Sequence, residues 1–179
     1  MQTIKEDLKT YKLSVLGAFK GVFLLSTFWL VFLYRVAHWS LEKKIPILPG
    51  LLRTLGIIFY SADISPAAQI GQKFRIVHSV GIVIGNDVKI GNNFELFHNV
   101  TLGGRNQNNN EQTMPIIGDN VTAFSGSNIL GPIIIGDNSS IGAGAVVTKS
   151  FESNSIIAGV PAKKIGTVVI AHAIESLNN

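Results

Sequence analysis

The sequence predicts a mostly β protein: a parallel β-helix of six-residue rungs, preceded by a short α-helical region. Three observations carry this. An apolar residue returns every six positions between Ile64 and Val147, a Gly follows many of these positions, and the first 60 residues lack that period while being apolar or helix-favouring. A helix would repeat at about 3.6 and an ordinary strand at about 2, so neither explains the spacing. A recurrent apolar residue with a Gly beside it fits short rungs, each burying one side chain before the chain turns. Three rungs make a coil of 18 residues, and stacked coils share one core.

The rungs run Ile64, Ile70, Ile76, slip by two residues, and resume at Ile84, Ile90, Leu96 and Leu102. After an Asn-rich interruption they continue at Ile117, Ala123, Ile129, Ile135, Ile141 and Val147. Leu102 and Ile117 lie fifteen apart where the period needs six, so nine residues bulge out in an insert spanning 103–116. Loops on a rigid scaffold often hold function. The organisation expected is therefore an α-helical region over 1–60, a β-helix domain over 61–166 carrying that insert, and a tail over 167–179.

Within the first region, residues 2–13 are charged and helix-favouring, and residues 14–39 are strongly apolar. The uncharged run from Gly21 to Tyr34 is fourteen residues long, short of the roughly 20 a membrane span needs. A buried or oligomer-packing helix is the leading expectation over 14–39, ahead of peripheral membrane contact. No secretory leader is expected. Pro46, Pro49 and Gly50 mark a break over 43–50, with one more short helix over 51–60.

The chain has 179 residues, 46% apolar and 15% charged, which suits a globular protein rather than a disordered one. It has no Cys, so disulfides, thiolate ligands and Cys nucleophiles are excluded. Neither His nor carboxylates cluster at metal-ligand spacing, so no metal is expected. Residues 1–60 hold eight Lys/Arg against three Asp/Glu, a net +5; the remainder holds seven against eight, a net −1. The basic excess belongs to the N-terminal region, where it suits an anionic surface or substrate. No basic-aromatic pattern of a nucleic-acid module occurs.

Chemistry points to histidine. His38 and His172 lie in the apolar region and the tail, where structural or surface roles are the default. His78 and His98 each follow a rung residue by two, and their separation of 20 is one coil plus the two-residue slip. They are expected on adjacent coils, stacked at about the 4.8 Å strand spacing. An imidazole titrates near neutral pH and can take a proton from a hydroxyl as its oxygen attacks a carbonyl. A nucleophile elbow, a Walker-type phosphate loop and paired glycosidase carboxylates are all missing.

Residues 63–166 resemble the serine acetyltransferase family of left-handed β-helix acyltransferases. The matching words are Asp63-Ile-Ser-Pro-Ala-Ala-Gln-Ile-Gly71, Gly81-Ile-Val-Ile-Gly85, Val100-Thr-Leu-Gly-Gly104, Ile141-Gly-Ala-Gly-Ala-Val-Val147 and Ala158-Gly-Val-Pro-Ala-Lys163. The resemblance extends upstream to Tyr34-Arg-Val-Ala-His-Trp39. It implies acetyl-CoA as donor, a homotrimer with sites between subunits, and His78 as general base; the lack of Cys is compatible with the cytoplasm, where association with the cytoplasmic membrane face is the further expectation. It also implies that pantetheine runs near Ser125 and Gly144 while Lys149 and Lys163 face the phosphates. Departures from the family pattern touch the acceptor. Val77 replaces the Asp that precedes the family's catalytic His, and Thr113-Met114-Pro115 replaces an Arg-His-Pro word. The N-terminal region is also shorter than the family's helical domain.

His98, where the serine enzymes have another residue, looks more like the acetyltransferases of colanic-acid and capsular polysaccharide pathways. The function expected from sequence is thus O-acetylation of a sugar hydroxyl in a surface polysaccharide or its precursor. His78 would be the base and His98 a second acid–base or orienting group. Serine O-acetylation is the alternative within the class; an inactive trimeric scaffold and a membrane-anchored interaction protein are the rivals outside it.

Overall fold

The computed structural model describes residues 2–10, 26–105 and 113–169. Helices α1 (Gln2–Lys9), α2 (Ser26–Glu42) and α3 (Leu48–Tyr60) precede the coils. The first coil holds β1 (Asp63–Ile64), β2 (Gln69–Ile70) and β3 (Arg75–Ile76); the second holds β4 (Val83–Ile84), β5 (Lys89–Ile90) and β6 (Glu95–Leu96). The third holds β7 (Thr101–Gly103), β8 (Ile116–Ile117) and β9 (Thr122–Ala123), with the insert between its first two strands. The fourth holds β10 (Asn128–Leu130), β11 (Ile134–Ile135) and β12 (Ser140–Ile141). Strands β13 (Val146–Val147) and β14 (Ser155–Ala158) complete a fifth, and β15 (Lys163–Thr167) folds back antiparallel on β14.

Successive coils pair in parallel, in register, on three sides. One sheet runs β1-β4-β7-β10-β13, a second β2-β5-β8-β11, and a third β3-β6-β9-β12-β14 with β15 at its edge. All thirteen rung residues from Ile64 to Val147 are buried. A second inward column, two residues before each rung residue, was not expected from the period: Ala68, Phe74, Ile82, Val88, Phe94 and Val100 in the first coils are buried too. Phe74 and Phe94 stack there at 6.2 Å between centroids. Each rung therefore contributes two core side chains, and the two-per-turn burial explains how such short strands hold together.

The glycines after the rung residues do not turn the chain. Gly91 has an ordinary negative φ, and a Cβ there would sit 2.8 Å from the backbone of Gly118 on the next coil. Close approach between coils, not a left-handed turn, requires them. Left-handed residues do occur in the same corner, at Lys73, Asn93, Asn120, Asn138 and Asn154, with φ between 56 and 61°. Asn tolerates that conformation better than other side-chain-bearing residues.

Of the apolar stretch 14–39, residues 14–25 lie outside the described residues. The rest forms most of α2, whose Leu30, Val31 and Tyr34 join the coil core. No helix among the described residues is long and apolar enough to cross a membrane. Helix α3 begins at Leu48 rather than Leu51, because Pro49 lies in its first turn, where its missing N–H costs nothing.

Candidate active site

His78 and His98 lie where the repeat arithmetic puts them. Register partners Arg75↔Glu95 and Ile76↔Leu96 align their rungs, and each His is the second residue past its strand. Their rings meet edge-to-face, 5.8 Å between centroids, with His78 exposed and His98 half-buried. The extra two residues of the slip fall just after His78, in a turn closed by Asn99 N–H donating to the Val80 carbonyl at 2.8 Å. The longer turn leaves the His78 rung itself in register.

Following the same column to later coils brings Ser125. Leu96 pairs with Ala123 and Ala123 with Ile141, so the residues two beyond are His98, Ser125 and Ala143. Gly126 N–H donates to the His98 carbonyl at 3.0 Å and Gly144 N–H to the Ser125 carbonyl at 2.9 Å. Gly144 adopts φ 66°, and a Cβ there would meet no atom within 4 Å, so the corner is open above it. His78, His98, Ser125 and Gly144 thus share one edge of the prism.

The lysines are elsewhere. Lys149 follows β13, at a different corner, with its ammonium 5.6 Å from the Phe151 ring centroid. Lys163 opens β15, opposite Ala158 on the last rung of the histidine-bearing sheet. Met114 also stands apart from His78. It packs against Gly85 and Gly104, where added Cβ atoms would lie 3.2–3.3 Å from its sulfur and methyl. His38 is structural as expected: its Nδ1 is 2.8 Å from the Pro66 carbonyl and its ring stacks on Tyr34. His172 lies outside the described residues.

Two site residues were missed by sequence reasoning. Phe97 and Phe124, each one past its rung residue, lie 5.1 Å apart between centroids, and Phe97 is 6.4 Å from His78. With Val77 on the rung below, they form an apolar wall beside the imidazoles. The signal was available, since the same offset arithmetic that found the histidines places these residues one step inside them. Among the described residues, no group of three metal-binding side chains forms.

The model of the bacterial transferase hexapeptide family (six repeats) matches residues 114–149. Serine acetyltransferases of Synechococcus elongatus and of Buchnera aphidicola from Schizaphis graminum are 36% and 41% identical over 132 residues, 74% of this chain. The match spans 54% and 51% of those proteins, so the chain spans about half the length of the curated relatives it matches. The crystal structure of Neisseria gonorrhoeae serine acetyltransferase superposes with a TM-score of 0.86 at 30% identity, covering 99% of this chain and 69% of that one. Serine acetyltransferase from Brucella abortus in complex with coenzyme A gives 0.85 at 30% identity, covering 94% and 68%.

These likenesses overturn the expectation of a polysaccharide acceptor. The relatives are serine acetyltransferases, and the inference from His98 was too local: a second imidazole does not specify the acceptor. Mostly β, with three parallel sheets closed as a left-handed β-helix and short helices before it, the fold is the one expected. Aligned over nearly its whole length with those structures, the chain belongs to the bacterial hexapeptide-repeat transferase family, as a homologue of the serine acetyltransferases.

Proposed function

We propose that the chain is an acetyl-CoA-dependent O-acetyltransferase whose acceptor is the hydroxyl of serine, acting as a homotrimer. The likeness to serine acetyltransferases carries the acceptor, and the His78–His98 pair on the same edge as Ser125 and Gly144 supports the chemistry. His78 takes the hydroxyl proton as the serine oxygen bonds to the thioester carbonyl carbon. The carbon–sulfur bond then breaks, sulfur leaves with its electron pair, and the imidazolium returns the proton to it, giving O-acetylserine and a free thiol. His98, in ring contact with His78, orients the base. Ser125 and Gly144 flank the donor's pantetheine arm, and Lys149 and Lys163 meet its phosphates as point charges.

The placement of Lys149 supports the trimer. It sits at a different corner from His78, so one chain alone does not bring both to one donor. Copies side by side about a threefold axis would form a cleft between the histidine corner of one and another corner of its neighbour. Within this reading, residues 61–166 are the acyltransferase domain, 1–60 its helical support and 167–179 a tail. Val77 puts no charge beside His78, so serine is expected to saturate only at high concentration.

Thiol release from acetyl-CoA in the presence of serine tests the proposal. Turnover is expected, and His78→Ala should lower it by a factor on the order of 10² with the trimer intact. Near-wild-type turnover in that variant would remove His78 as the base. Acetyl-CoA binding without serine-dependent release in the wild type would remove serine as the acceptor.

A further inference from the structure

Helix α3 packs one side on α2 and the first coil and presents on the other an apolar strip that no other described residue covers. Ile47, Leu51, Thr54 and Ile58 follow one another at helical spacing, with Phe59 alongside. Ile47 is 85% exposed, Leu51 51%, Ile58 66% and Phe59 71%. Ile47 is also held at φ 68°, a left-handed conformation that β-branched residues rarely adopt. Neither core burial nor backbone comfort accounts for an isoleucine there. We propose that this face of α3 is a docking surface for an anionic membrane, on which the helix lies flat.

The chemistry around the strip favours lipid over protein. The Thr54 hydroxyl donates within the helix, to the Gly50 carbonyl at 2.9 Å. Arg53 lies on the packed side of the helix and is held by Asp63, with its Nε 2.5 Å and Nη2 2.8 Å from the carboxylate oxygens. The strip therefore offers no free polar group with which a protein partner could set its register. The free charges stand at its start: Lys43 and Lys44 are exposed in the turn leading to Ile47 and pair with no described residue. They belong to the region carrying a net +5, while the rest of the chain carries −1. An anionic surface neutralises these lysines. Thirteen residues of helix span about 20 Å, suited to lying in an interface and too short to cross one.

Flotation of the full chain with vesicles tests this. Binding is expected to phosphatidylcholine vesicles containing about one third phosphatidylglycerol, to weaken in high salt, and to be slight with phosphatidylcholine alone. Leu51→Asp/Ile58→Asp should abolish binding. Lys43→Gln/Lys44→Gln should weaken it roughly 30-fold, at about 1 kcal/mol for each lysine. Both variants alter exposed positions, so the far-UV circular dichroism and thiol release should stay at wild-type level. No binding to the anionic vesicles overturns the proposal. So does binding that survives Leu51→Asp/Ile58→Asp. A change in sedimentation mass in that variant, without vesicle binding by the wild type, would instead make the strip an interface between copies.

Discussion

The Tyr34 hydroxyl is buried between α2 and the first coil, where it donates to the Ala68 carbonyl at 2.8 Å. Burial, only partly offset by the neighbouring Arg35 charge, pushes its pKa up to about 12. The raised value means that the folded protein keeps a proton that the unfolded chain loses near pH 10. Below pH 10 the stabilisation is complete; between about 10 and 12 the unfolded state ionises first and stability falls as pH rises. Alkaline urea titrations should show wild-type stability dropping by about 2–3 kcal/mol across that window. Tyr34→Phe should start about 1 kcal/mol lower near neutrality, having lost one hydrogen bond, and show a flatter alkaline slope. Equal slopes would mean that the phenol is not held neutral. Residue-scale legibility was uneven for a physical reason. The His78–His98 contact could be read because repeat arithmetic converts sequence distance into spatial distance. The Tyr34–Ala68 bond joins a helix to a coil and leaves no period to read.

At the scale of elements, the corner between the second and third sheets is made by a ladder of side chains. Asn93 donates to Asn120 at 2.9 Å, Asn120 to Asn138 at 3.0 Å, and Asn138 to Asn154 at 3.2 Å, each across one coil. Every member has a positive φ, so the residue must tolerate left-handed backbone and also bridge to its neighbours above and below. Asn does both. Asn120→Gly should keep the backbone and lose the bridges, whereas Asn120→Ala should also carry the left-handed penalty of about 1–2 kcal/mol. Thermal melts should therefore rank Asn120→Ala below Asn120→Gly, the reverse of their order at an ordinary strand position. The opposite ranking would show that left-handed backbone strain does not set this corner. The rungs themselves were legible because one buried residue in six is a strong signal. The second inward column was not, since it mixes Ala, Phe, Ile, Val and Ser and varies too much in size and polarity to look periodic. The start of α3 was obscured because Pro49 reads as a breaker unless its first-turn position is known.

At the scale of the molecule, the helical region is fastened to the coils through one buried charge network. Asp7 in α1, fully buried, accepts from Arg35 Nε at 2.8 Å and Nη2 at 3.2 Å, and from the Phe74 N–H at 2.9 Å. Arg35 in α2 also donates to the Ile70 and Gly71 carbonyls, at 2.5 and 2.6 Å. Three elements far apart in sequence, α1, α2 and the first coil, therefore share two side chains. Composition could show the charges, but not that two of them were destined for the interior. The network is asymmetric, and so is the expected damage. Arg35→Met leaves a buried carboxylate with one N–H partner and should cost about 3–5 kcal/mol. Asp7→Asn leaves the guanidinium with both carbonyls and should cost less. The double variant, with no charge stranded, should lose less than the sum of the two singles. It should still fall short of wild type, because the Ile70 and Gly71 carbonyls then lose their donor. Urea melts of the four proteins measure the coupling. Strict additivity would mean that Asp7 and Arg35 act independently, and that α1 is held to the coils by its apolar contacts instead.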